Sequence, residues 1–260
     1  MAMDPSGAST YRKHFIPLES NPDVFTELIH KLGIASSLRF QDVLSLDPEL
    51  LSFIPRPVHA LILVFPTTQE YERRARAEDF NVIDVLDGND ETEVVFFRQT
   101  INNACGLYAI LHAFCNGEAR NSFGKPPTTS RTPSLTSAKA PDSTMDQLLK
   151  VCLPAHPKDR ALALENSQEL ERAYDEVAQK GDTAPPASAE DEVDFHYIAF
   201  VKSHINGHLY QLDGDRRRPI KLAPLQEGED VLSEKCLEVI RGMMIEDNVN
   251  FSLMALVGQT

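Results

Sequence analysis

The first clear periodicity lies at 21–32. Val24, Phe25, Leu28, Ile29 and Leu32 recur at helical spacing, Asn21 stands as an N-cap, Pro22 fits the first turn and Gly33 ends the run. The pattern predicts a helix there. Shorter mixed pieces at 40–46 and 47–53 read as brief helices. From Val58 to Pro66 the chain is almost continuously apolar (Ala60-Leu61-Ile62-Leu63-Val64-Phe65), which suits a strand covered on both faces. The charged stretch 68–77 is helix-prone, 84–90 is an acidic turn region with Asp87-Gly88, and 93–97 reads as a short strand. Between 104 and 115, Leu107, Ala109, Ile110, Leu111, Ala113 and Phe114 leave few polar positions, so a buried helix is expected, with Asn116-Gly117 as its stop.

The stretch 120–143 is rich in Ser, Thr, Pro and Lys and reads as a flexible surface loop. A helix follows at 145–153. Another runs unbroken over 157–179, with Leu162, Leu164, Leu170, Tyr174 and Val177 inward. A second flexible segment covers 181–192. Strands at 193–202 and 208–212 flank Asn206-Gly207, a strong hairpin signal. A helix at 230–244 turns Val231, Leu232, Leu237, Ile240 and Met244 inward, and 251–257 is a last apolar strand. Residues 1–10 read as a disordered tail, leaving one domain over 11–260. Helices alternate with strands, and the hairpin points to a mixed or antiparallel sheet, so the expected class is α+β in layers.

Composition narrows the functions. There are 39 acidic against 25 basic residues, a formal charge of −14, which argues against nucleic acid as a partner. No apolar run has the length of a membrane span, and the first residues lack a signal-peptide layout. A soluble, intracellular chain is expected, with Cys105, Cys115, Cys152 and Cys236 reduced. No C-x-x-C pair occurs, and His112-x-x-Cys115 has metal-like spacing without a second pair.

The candidate chemistry centres on Cys105. It ends the run Gln99-Thr100-Ile101-Asn102-Asn103-Ala104 and opens the buried helix, where unpaired N–H groups and the helix dipole favour thiolate over thiol. Gln99 can supply an amide donor to an oxyanion. Far downstream, His196 lies in a strand-like run and Asp213 ends the partner strand. A hairpin can set the two side by side, so that the carboxylate fixes the imidazole. Taken singly, each residue reads as packing or turn. Together, in this order, they point to a thiol hydrolase. His112, His204 and His208 are rivals to His196. The first lies too far along the helix from Cys105, the second sits in the turn, and the third shares a strand with Asp213 rather than facing it.

At these residues the chain resembles the ubiquitin C-terminal hydrolase family of papain-like cysteine proteases. The resemblance rests on Gln99 to Gly106, on Phe195-His196-Tyr197-Ile198, and on Gly207-His208-Leu209-Tyr210-Gln211-Leu212-Asp213-Gly214. Ile16 to Pro22 and Leu164-Glu165-Asn166 support it. It extends from about Tyr11 to Thr260 and is closest to the short, single-domain members, which lack a C-terminal extension.

The resemblance implies a central, mainly antiparallel sheet with helices on both sides, papain-like, with a knotted backbone. It implies Cys105 as nucleophile, His196 as base and acid, Asp213 as orienter and Gln99 as oxyanion donor. The reaction would be hydrolysis of small or unstructured adducts from the C-terminal glycine of ubiquitin through an acyl-enzyme, with no metal or organic cofactor. The segment 179–192 would be the family's crossover loop over the active site. Binding residues carried over are Pro17, Leu18, Glu19, Ser20, Asn21 and Pro22, then Gln179, Lys180, Gly181 and Asp182, then Asn248, Val249, Asn250, Phe251, Ser252 and Leu253. Glu19 is a candidate contact for ubiquitin's basic tail. NEDD8 is the alternative modifier, and a ubiquitin-binding protein with low turnover is the alternative function. A monomer is expected, in the cytoplasm with a nuclear pool as the alternative, and without nucleic-acid or membrane partners. The chain departs from the family in its long 120–143 stretch, in Ser203 to Asn206 lengthening the hairpin, in Phe15 where a tryptophan is expected, and in bulky Tyr108 early in the helix.

Overall fold

The computed structural model describes residues 11–88, 93–122, 143–191, 193–247 and 250–258. The expected tail at 1–10 and most of the 120–143 stretch lie outside the described residues. In chain order come β1 (Lys13–His14), α1 (Pro22–Lys31), β2 (Leu38–Asp42), α2 (Pro48–Leu51), β3 (Val58–Pro66), α3 (Gln69–Asp79), β4 (Ile101–Asn102) and α4 (Cys105–Cys115). A 3-10 turn at Ala119–Ser122 leads to α5 (Thr144–Cys152), α6 (Pro157–Asn166) and α7 (Gln168–Ala178). Then follow β5 (Phe195–Lys202), β6 (His208–Leu212), β7 (Ile220–Pro224), α8 (Glu234–Asp247) and β8 (Ser252–Gly258).

Six strands form one sheet in the order β2-β8-β3-β5-β6-β7, every neighbour antiparallel. This is the α+β class expected from the sequence. β3 and β5 lie inside the sheet, and their near-continuous apolar runs serve two cores at once. Ala60, Ile62, Val64, Tyr197, Ala199 and Val201 point into one, shared with α1, α4, α5 and α7. Leu61, Leu63, Phe65, Ile198 and Phe200 point into the other, where α8 contributes Cys236, Leu237 and Ile240. Alternation along a strand divides one apolar run between two layers.

Several sequence expectations change. The stretch 40–46 does not open as a helix. Leu38 and Phe40 are buried on alternate positions of β2 and pair with Gly258 and Leu256 of β8. A strand edge captured the segment, and local propensity could not foresee it. The stretch 93–97 is no strand, although it is apolar. Its backbone is satisfied by side chains of the buried helix and of α6. Val95 donates to Asn116 and its carbonyl accepts from Asn116, Phe97 N–H donates to His112, and Phe96 C=O accepts from Arg160. The helix at 157–179 breaks at Ser167, which ends α6 and caps α7 by accepting from Leu170 N–H. Leu162, predicted inward, is exposed instead. β7 and the short parallel pair of β1 with β4 went unpredicted.

The hairpin turn sits at the end away from His196. Ser203 Oγ accepts from the N–H groups of Ile205 and Asn206, and Gly207 takes φ 70°. Register is set further along, by pairs from Lys202↔Leu209 to Ala199↔Leu212. The lengthened turn is therefore absorbed without displacing the strand ends.

Because Phe200 is fully buried where β5 meets the α8 core, Phe200→Ala should lower unfolding free energy by about 3–5 kcal/mol. Urea denaturation followed by circular dichroism measures this, and a loss below 1 kcal/mol would contradict the assigned packing.

Candidate active site

Two backbone features place Cys105. Asn103 adopts φ 58°, a left-handed conformation that asparagine tolerates better than most residues. Ala104 then stands at the N-cap of α4 with no side-chain hydrogen bond of its own to the first-turn N–H groups. The thiol is buried at the positive end of an all-buried helix.

His196 is the second residue of β5. Carrying the Ala199↔Leu212 register one step further sets Asp213 opposite Ile198, on the same face as His196 and two residues along. The result is a hydrogen bond of 2.7 Å between His196 Nε2 and Asp213 Oδ1. The Cys105 thiol is among the groups that raise the pKa of the ring. Nε2 is engaged by Asp213, and Nδ1 lies 3.8 Å from Asp215 Oδ2.

Asp213 is 1% exposed, and three donors converge on it. Oδ1 takes His196 and the Asp215 N–H at 2.9 Å, and Oδ2 takes the Tyr71 hydroxyl at 2.7 Å. Burial alone would raise the carboxyl pKa, but the imidazolium and these hydrogen bonds hold it well below the usual carboxylate range. Burial likewise opposes protonation of His196. The Asp213 charge and hydrogen bond, with Cys105 and Asp215, outweigh it and lift the imidazole well above its ordinary value.

Gln99 is tied to the same loop. Its N–H donates to Gly214 O at 2.8 Å, and Arg98 Nη1 donates to that oxygen at 2.6 Å. A Cβ on Gly214 would stand 3.0 Å from Gln99 Cβ, so glycine is what lets the two backbones approach. Gln99 Oε1 is buried with no hydrogen-bond partner. Cys105, His196, Asp213 and Gln99 thus come together from the start of α4, the hairpin and the segment before β4.

A cavity of about 410 Å³ opens beside Cys105. Pro17, Leu18, Glu19, Ser20, Lys180, Asn250, Phe251 and Ser252 line it, so the three segments expected to bind do meet there. Some of their side chains are already committed. Glu19 accepts from the N–H groups of Asp182 and Thr183 and from the Thr183 hydroxyl, at 3.1, 2.8 and 2.5 Å, chiefly through Thr183 holding its carboxyl below the usual range. Lys180 is paired with Glu27, and Asn21 Oδ1 caps α1. Leu253 is buried in the α8 core rather than lining the cavity. Asn248 and Val249 lie outside the described residues.

The rival histidines are otherwise employed. His112 is buried, stacked on Phe96, and receives the Phe97 N–H, and burial lowers its pKa to about 3. His204 pairs with Arg120, and His208 Nδ1 contacts Asn206 O in the turn. Cys115, Cys152 and Cys236 are buried free thiols. Phe15, in place of a tryptophan, packs its ring 4.5 Å from that of Tyr174.

Two residues escaped the sequence reading. Asn103 Nδ2 donates to Ala189 O and Asp191 O, pinning the far end of the 179–191 segment as Glu19 pins its start. Tyr71 supplies the third donor to Asp213. Its only signal was negative, a lone aromatic in a helix otherwise made of charged and small residues.

The chain is similar to known proteins over most of its length. The family model described as "Ubiquitin carboxyl-terminal hydrolase, family 1" matches residues 15–245. A ubiquitin carboxyl-terminal hydrolase of Aplysia californica is 34% identical over 235 residues, covering 90% of this chain and 97% of the relative. The isozyme L1 of Rattus norvegicus is 32% identical over 243 residues, covering 92% and 96%. Among solved structures, the Trichinella spiralis UCH37 catalytic domain bound to ubiquitin vinyl methyl ester shares the fold, with a TM-score of 0.67, 22% identity and 97% coverage of each chain.

Two outcomes follow from the charges. Asp213→Asn removes the anion that supports the imidazolium while burial still opposes it, so the His196 pKa should fall to or below the ordinary value of about 6.5. NMR titration of the ring tests this, and an unmoved pKa would exclude Asp213 from that role. Glu19→Gln removes the ionic acceptor of the loop. Limited proteolysis should then cut within 182–188 several-fold faster than in wild type, and equal rates would show that Glu19 does not restrain it.

Proposed function

The chain belongs to the ubiquitin carboxyl-terminal hydrolase family 1, and on that premise we propose that it is a cysteine-type hydrolase acting at the C-terminal glycine of ubiquitin. The observation that carries the reading is the buried His196 bonded to Asp213, with the Cys105 thiol, at a helix start, among the groups that raise its pKa. In this reading His196 takes the thiol proton, and the thiolate attacks the carbonyl carbon of the terminal glycine. The Gln99 side-chain amide and the Cys105 N–H hold the oxyanion, the family of donors whose loss typically costs about 3–4 kcal/mol of transition-state stabilisation. His196 then protonates the leaving group, leaving an acyl-enzyme. A water, deprotonated by the same imidazole, cleaves the thioester and returns the thiol. These steps need no metal or organic cofactor.

The substrate class rests on the segment 179–191, bound at one end to Glu19 and at the other to Asn103, next to Cys105. A strap tied at both ends passes small or unstructured adducts and obstructs folded ones. Ubiquitin as partner is supported by the T. spiralis UCH37 structure, solved bound to ubiquitin vinyl methyl ester. The reading further comprises a monomer acting on ubiquitin, with NEDD8 as the alternative modifier, in the cytoplasm, with a nuclear pool as the alternative. Four free thiols suit such a reducing compartment.

Release of a fluorescent amine from the ubiquitin C-terminus tests the proposal. Wild type should turn over, and Cys105→Ala should lose at least about a thousandfold in rate while binding ubiquitin as tightly. Turnover retained in the mutant would remove Cys105 as nucleophile. Tight binding by an inactive wild type would favour a ubiquitin-holding protein, and faster release from NEDD8 would reassign the modifier.

A further inference from the structure

Helix α3 is unlike the other helices of its length. Its sequence, Gln-Glu-Tyr-Glu-Arg-Arg-Ala-Arg-Ala-Glu-Asp, is charged almost throughout, and Tyr71 is its one buried residue. A helix normally docks through an apolar stripe. This one docks through charges and one aromatic. Arg216 Nη2 reaches Glu78 at 2.9 Å and Asp79 at 3.0 Å, while Arg217 donates its N–H to Asp79 and its guanidinium to Asp79 O and Val82 O. Both arginines lie within four residues of Asp213 in sequence, so α3 is fastened to the loop that carries the carboxylate. At the other end, Thr68 caps the helix by accepting the Tyr71 N–H at 3.1 Å, which fixes Tyr71 in the first turn. Its ring then packs edge-on to Phe65 and tilted against His196, and its hydroxyl donates to Asp213 Oδ2.

We propose that Tyr71 is a positioning residue of the active site: its hydroxyl occupies one oxygen of Asp213, leaving the other to face His196, and draws off part of the charge that Asp213 presents to the imidazole. The inference rests on the function proposed above. Asp213 could rotate about its side-chain torsions, and Tyr71 is the group that holds Oδ2 away from the ring. The hydroxyl remains a donor, since burial and the neighbouring carboxylate push its pKa well above the ordinary tyrosine value. The other charged or titratable groups around this pair are Cys105 and His112 from α4, Asp215 and Arg216 from the loop after β6, and Arg98 from the segment before β4.

Tyr71→Phe keeps the ring and removes the donor. With more charge left on Asp213, the His196 ionisation should rise by about half a unit or more, read by NMR titration of the ring and, independently, from the pH profile of kcat/KM. On a fluorogenic ubiquitin C-terminal amide, kcat should fall about tenfold with KM unchanged, as expected for a lost hydrogen bond to a charged group. A His196 pKa that stays in place or falls would overturn the proposal. So would a normal kcat, and so would a drop in kcat that tracks only a lowered melting temperature. If wild type itself proves inactive, the proposed function fails, and the NMR titration still decides whether Tyr71 sets the charge on the pair. Should Tyr71→Phe not fold, Asp79→Asn, which unfastens α3 without touching the ring, should shift the His196 ionisation in the same direction by a smaller amount, and no shift there would overturn the proposal.

Discussion

Ala60 to Pro66 on β3 pair residue for residue with Val201 to Phe195 on β5, and both hydrophobic cores are built on that antiparallel ladder. The side chains of one strand alternate between a layer holding α4 and a layer holding α8. Shifting the pairing by one residue would exchange the two sets and bury the wrong faces. The same register runs through Phe65↔His196 to its last pair, Pro66↔Phe195, where the exposed Phe195 leaves the core. His196 is thus fixed by a strand paired inside the sheet, while Cys105 arrives on the helix packed against the opposite layer. The site exists where the two layers meet at the sheet's end.

A buried carboxylate is costly unless donors surround it, and the structure supplies them from three directions. The His196 ring comes from β5, the Asp215 N–H from the loop itself, and the Tyr71 hydroxyl from α3. Arg98 and the Gln99 N–H share the oxygen of Gly214, so the oxyanion candidate and the orienting carboxylate sit on one braced loop. Gln99 Oε1 is left without a partner there, which is the polar cost of keeping that side chain at the site.

The acidic balance of the chain is spent partly inward. Glu19, whose position beside the cavity suggests a contact for a basic peptide, already holds the Asp182–Thr183 backbone. A basic substrate tail reaching Glu19 would compete with the loop for one carboxylate. Entry of such a tail and loosening of the strap would then be coupled through the same two oxygens.

The sequence by itself determined a good deal. Helical spacing marked α1, α4 and α8, the Asn206-Gly207 signal marked the hairpin, and the residue types and order of Gln99, Cys105, His196 and Asp213 marked the chemistry. Each of these depends on neighbours close in sequence, where spacing and turn propensity act directly. What only the tertiary structure decided involved partners far apart along the chain. Leu38 to Asp42 became a strand because β8 offered an edge, and Val94 to Phe97 failed to become one because Asn116 and His112 took its backbone groups. Tyr71 and Asn103 acquired roles at the site through hydrogen bonds spanning 142 and 86–88 residues. Hydrophobic periodicity reports which face of an element is buried, but it carries no information on which distant donor will meet a buried acceptor. That choice is made by packing, when the layers close and every enclosed polar group must find a partner.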